Sequence, residues 1–117
     1  MQIIGPELVE KIIQRDFPDF EWNRIRLLLE EYGTKEQRQP EKYRVRLCIL
    51  KLADKNSQAI EQLVRLACED YRDVIILAAY METTKLSDEK GLSFTEAELE
   101  NAEKKDLKQF ESWLYAK

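Results

Sequence analysis

The sequence predicts an all-helical protein, and three observations lead there. Prolines and glycines are few, three of each in 117 residues, and they fall where helices start or stop. Between them apolar residues recur at spacings of three and four. No glycine-bounded run of β-branched or aromatic residues alternates with period two. The expectation is one domain over residues 1–117, a single compact bundle of about six helices. Its middle helices could pair as helix–turn–helix units in the manner of an α-solenoid, although the two halves share no alignable repeat.

The elements follow in order. Gly5-Pro6 puts proline at a first helical position, and Leu8, Val9, Ile12 and Ile13 line one face until Pro18 ends the helix near Phe17. Asp19 is the expected N-cap of the next helix, with Trp22, Ile25, Leu28, Leu29 and Tyr32 on one stripe and Gly33 as its stop. A polar stretch leads to Pro40, another helix-starting proline. Val45, Cys48, Ile49 and Leu52 then repeat at i, i+3, i+4, i+7 as far as Asp54. Ser57 is the expected cap of a helix lined by Ile60, Leu63, Val64 and Ala67, which a short turn makes antiparallel to the one before.

Whether residues 57–81 form one helix or two is the open point. Ile60, Val64, Ala67, Tyr71, Val74, Ala78 and Met81 keep their phase across "CEDYRD", which favours one helix. Asp70 is a good cap, however, and Asp73 suits a first turn, where a carboxylate meets exposed N–H groups and the positive end of the dipole. In a continuous helix Glu69 and Asp73 would repel at i, i+4. A break near Glu69-Asp70 is therefore expected. A polar loop follows at about 82–94, then an amphipathic helix at about 95–116. Thr95 and Glu98 form a capping box at its start, flanked by Phe94 and Leu99 in staple positions.

The segments "RVRLCILKLADKN" and "LVRLACEDYRDVIILAAY" resemble a family of small bacterial helical proteins with an Ala-x-x-Asp-Tyr/Phe-Arg-Asp-Val-x-x-x-Ala-x-Tyr signature. The matching positions are Ala67, Asp70, Tyr71, Arg72, Asp73, Val74, Ala78 and Tyr80. The resemblance covers about a third of the chain, roughly Arg44 to Tyr80, and implies a helical fold and no activity.

Composition excludes several functions. Apolar residues make up 44% and charged residues 36%, as in a soluble globular chain. No apolar run reaches the ~20 residues that span a bilayer, and the first residues carry no basic region followed by an apolar stretch. A cytoplasmic protein without membrane contact is expected, with Cys48 and Cys68 as buried free thiols. There is no histidine. That removes the usual base of serine and cysteine hydrolases, the nitrogen ligands of most zinc sites and the Glu-x-x-His pairs of di-iron bundles. Neither a Cys-x-x-Cys pair nor a glycine-rich phosphate loop is present. No metal, cofactor or catalytic residue is expected.

Two charged clusters remain as candidates. Glu69, Asp70, Tyr71, Arg72 and Asp73 could form an oxygen site or acid–base pair with an aromatic and a cation to orient a ligand. Helix punctuation explains the carboxylates without further assumption and is preferred, but leaves the partner of Arg72 unknown. The second candidate is a basic face at Lys42, Arg44, Arg46 and Lys51, within a stretch that also holds Lys35 and Arg38. The net charge is -4 and the isoelectric point near 5.0, so nucleic-acid binding is disfavoured and the basic stretch is expected to meet the acidic C-terminal end. The run "VIILAAYM", apolar all round, is read first as the central helix of the bundle and second as a contact for another copy or protein. The best reading is a small non-enzymatic protein-interaction or accessory protein, with homodimerisation open. The alternative is a histidine-free ligand-binding protein or enzyme using residues 69–73.

Overall fold

A computed structural model describes residues 5–34, 41–91 and 93–116. Their regular structure is entirely helical: α1 (Pro6–Asp16), α2 (Asp19–Glu30), α3 (Lys42–Ala53), α4 (Ser57–Ala79), α5 (Met81–Lys90) and α6 (Glu96–Leu114). The chain folds as two compact units, Met1–Ile75 and Ile76–Lys117, so the division falls late in α4.

In the first unit α1 packs on both α2 and α3. Pro6 opens α1, Val9, Ile12 and Ile13 are its buried face, and extended Phe17 ends it. The residue before a proline is driven from helical dihedrals, and Phe17 takes that role ahead of Pro18. Asp19 does not cap α2. Pro18 occupies the cap position, extended and without an N–H of its own, and Asp19 is the first helical residue, a carboxylate at the positive end of the dipole. The Trp22 indole N–H donates to Phe17 O at 2.8 Å and holds the corner between the two helices.

The helix buried on every side is α3, not the 74–81 run. Val45 through Leu50 are all buried, as is Ala53. Pro40, the expected start of this helix, and the basic Lys35 and Arg38 lie outside the described residues. Asp54 and Lys55 turn the chain in the left-handed region at φ 48° and 67°. Asn56, rather than Ser57, then caps α4, its Oδ1 accepting from Gln58 N at 3.1 Å. The Ser57 hydroxyl instead donates to Glu21 Oε1 of α2 at 2.8 Å. Cys48 is buried, but Cys68 is exposed, so only one of the two thiols belongs to the core. The phase count that put Ala67 inward turns its neighbour Cys68 outward.

Helix α4 is broken at Asp70, which leaves helical dihedrals for φ -152°, ψ 95°. The apolar stripe keeps its phase across the break, with Ala67, Val74 and Ala78 buried.

In the second unit α5 packs on α6. The expected polar loop at 82–94 is therefore mostly helix, since α5, from Met81 to Lys90, takes in its positions from Glu82 to Lys90. Its own cap position, Tyr80, supplies no side-chain hydrogen bond, and none of its residues is buried. The start of α5 is satisfied from α6. Asp106, only 2% exposed, accepts from Glu82 N at 2.7 Å, Thr83 N at 3.0 Å and the Thr83 hydroxyl at 2.6 Å. Gly91, at φ 58°, ends the helix with its N–H on Ser87 O at 2.8 Å. At the head of α6 the capping box is complete: Glu98 N reaches Thr95 Oγ1 at 3.1 Å and Thr95 N reaches Glu98 Oε1 at 3.2 Å.

Candidate functional site

The acidic knot resolves into a helix start. Asp70 Oδ1 accepts from Arg72 N at 3.1 Å, the bond an N-cap makes to the second helical residue. The Arg72 guanidinium lies against the same oxygen, Nε at 3.4 Å, so its partner is the cap itself. With side chains 73% and 39% exposed, that ion pair is a weak solvated one. Glu69, Arg72 and Asp73 are exposed, while Asp70 and Tyr71 are half-buried. Tyr71 and Cys68 add their charge to the burial that pushes the phenol of fully enclosed Tyr32 up to about 12. Neither of the clefts described below includes any of residues 69–73.

The four basic residues of α3 do not share one open face. Arg46 is 8% exposed. Its Nε donates to Leu29 O at 3.0 Å and Tyr32 O at 3.1 Å, and Nη2 to Tyr32 O at 2.8 Å. A helix end leaves its last carbonyls without intrahelical donors, and this guanidinium supplies them to α2 across the helix–helix contact. Arg44 pairs with Glu41 Oε1 at 3.1 Å. The Lys42 ammonium lies 5.0 Å from the Tyr43 ring centroid, and the Arg46 guanidinium carbon 5.6 Å from it. Periodicity alone could not reveal that Arg46 is internal, because i+4 spacing puts it on the face of Lys42.

A cleft of about 140 Å³ opens between α1, α2 and α3. Its floor is apolar, from Val9, Ile13 and Leu29, each under a tenth exposed. At its edge Arg26 grips Glu10 with two nitrogens, Nε to Oε1 at 2.6 Å and Nη2 to Oε2, while its Nη1 donates to Asn23 Oδ1 at 2.9 Å. The hydrogen bond from Arg26 holds the Glu10 carboxyl below the usual carboxylate range. Glu30, Tyr43 and Arg46 complete the polar part. These residues are scattered from position 10 to position 46, so no motif announces them. A second, wetter groove of about 360 Å³ lies between α5 and α6, lined by acidic and lysine side chains of both helices.

The apolar run from Val74 to Met81 is covered on one side only. Val74, Ile75 and Ala78 are buried, whereas Ile76 is 42%, Leu77 53%, Tyr80 38% and Met81 51% exposed. These four share the spacing i, i+1, i+4, i+5 and continue from the end of α4 into the start of α5. The run is therefore not the central helix expected from its composition, as only Val74, Ile75 and Ala78 are buried.

Among the described residues no group of three or more acidic or thiol side chains could hold a metal ion, and no helix is long and apolar enough to cross a membrane. Comparison with protein-family models, with curated proteins and with solved structures finds no match for this chain.

Proposed function

We propose that this is a small helical interaction protein, acting in the cytoplasm through protein contacts rather than through catalysis or nucleic acid. The observation that carries this reading is the half-exposed strip of Ile76, Leu77, Tyr80 and Met81. Single exposed apolar residues are normal, but four of them within six positions, running from the end of α4 across Tyr80 to the first residue of α5, form a patch that a partner would keep from water. Fully burying such a side chain is worth ~1.5–3 kcal/mol, so covering the exposed fractions of all four would contribute about 3–5 kcal/mol to an association. The acid–base alternative at residues 69–73 loses support, because the Asp70 carboxylate is already committed to Arg72 N and to the guanidinium beside it. The basic surface loses Arg46 to the core, which weakens any case for phosphate contacts.

The test is the pair Leu77→Asp with Met81→Asp in the full chain. Both sites are exposed, so helicity and melting should be unchanged. Light scattering and cross-linking in lysate of the source cell should show an association in the wild-type protein that the variant loses, with Kd raised at least about a hundredfold. An association that survives both substitutions, or a wild-type protein that stays monomeric and partnerless, would refute the reading.

A further inference from the structure

We propose that the cleft between α1, α2 and α3 binds a small zwitterion with an apolar side group, of the size and kind of a free apolar or aromatic α-amino acid. Its volume, about 140 Å³, is close to the ~150 Å³ of an engineered protein cavity that takes up a single benzene ring. The floor of Val9, Ile13 and Leu29 offers apolar contact to such a side group and nothing to a charge.

Two charged groups of opposite sign are left open above that floor. Arg46 is more than nine-tenths buried, and its bonds to the end of α2 use Nε and Nη2 only. Nη1 has no hydrogen-bond partner among the described residues, yet no buried side-chain nitrogen or oxygen there lacks one. That edge of the guanidinium is therefore reached by solvent, and Arg46 lines the cleft. Glu30 lines it too, and its carboxylate has no ion pair among the described residues. Burial pulls the Arg46 pKa down from the ordinary arginine value, and Tyr43 and, to a lesser degree, Glu30 work against that shift.

The remaining pair, Glu10 with Arg26, is closed on itself through two hydrogen bonds and offers little to a ligand. Charge on the wall sums to zero. A lone carboxylate at Arg46 would sit in the field of Glu30 and Glu10, and a lone ammonium at Glu30 in that of Arg46 and Arg26. A molecule carrying both groups on one carbon satisfies each, with its carboxylate on Arg46 Nη1 and its ammonium on Glu30.

The probes are L-phenylalanine and its two one-charge analogues, 3-phenylpropionate and phenethylamine, titrated into the full chain and followed by backbone amide NMR. Phenylalanine should give saturable shifts at the amides of Val9, Ile13, Leu29 and Glu30. Each analogue should bind at least about tenfold more weakly, as the loss of one charge-assisted hydrogen bond implies. Glu30→Gln, at an exposed position, should weaken phenylalanine by a similar factor, leave 3-phenylpropionate unchanged or tighter, and keep the melting temperature. The proposal is overturned if phenylalanine produces no saturable shift up to its solubility, if the shifts lie elsewhere, or if either analogue matches it.

Discussion

Removing Asp106 tests how the second unit holds α5. The carboxylate accepts three hydrogen bonds between 2.6 and 3.0 Å, two of them from backbone N–H groups of the first turn of a helix that has no side-chain cap of its own. Loss of an ordinary N-cap costs ~1 kcal/mol, and loss of an anion at a helix N-terminus ~0.3–1 kcal/mol more. The hydrogen bonds of a buried carboxylate are each worth ~1.5–3 kcal/mol, but Glu82 and Thr83 are only half-buried and would recover part of that from water. Asp106→Ala should therefore destabilise the protein by about 2–3 kcal/mol, and Asp106→Asn, which keeps one acceptor oxygen, by roughly half as much. Urea denaturation followed by circular dichroism measures the loss. Amide hydrogen exchange locates it, since Glu82, Thr83 and the rest of α5 should lose protection before α6 does. Should Asp106→Ala unfold within about 0.5 kcal/mol of the wild type with α5 still protected, the cap from α6 is not what holds that helix.

Two further perturbations check the first unit. Gly33 sits at φ 98°, and a Cβ there would lie 2.5 Å from Lys42 Cβ. Gly33→Ala should cost about 1–3 kcal/mol in the same unfolding measurement, because the left-handed backbone and the contact with α3 both resist it. The thiols should differ in reactivity. Burial pushes the Cys48 thiol up to about 12, while Cys68 is exposed, so a thiol reagent should modify Cys68 in the native protein and Cys48 only after unfolding. The sign of the pH dependence follows. With a folded value above the unfolded one of ~8.5, the unfolded chain releases its thiol proton first, so stability should fall as pH rises from about 9 toward 12. Tyr32, also raised to about 12, adds to that slope above pH ~10, and Cys48→Ala should remove the thiol's share.

How much of this was legible in the residues depends on how local the cause is. Pro6, Pro18 and the Thr95–Glu98 box act within one turn, so the limits of α1 and the head of α6 could be read directly. The break at Asp70 was also legible, because its two signs, a cap residue and a like-charge i, i+4 pair, lie within five positions. Choices between adjacent capping candidates were less so: Asn56 displaced Ser57, whose hydroxyl found Glu21 in α2 instead. Helix α5 was missed because the group that caps it comes from position 106.

The same distinction separates what the sequence determines from what the tertiary structure decides. Helix identity, the all-α class and the absence of imidazole chemistry follow from residue types and near-neighbour spacing, since hydrogen bonds at i, i+4 and stiff prolines act along the chain. Which cation is buried, which apolar run is central and which is left facing water, and where a cleft opens depend on contacts between residues far apart in sequence. Arg46 reads as one of four surface cations until the carbonyls of Leu29 and Tyr32 are brought against it. The run from Val74 to Met81 reads as core until burial is seen residue by residue, with Val74, Ile75 and Ala78 inside and Leu77 and Met81 half exposed. Periodicity specifies a face of a helix, and only packing chooses what that face meets.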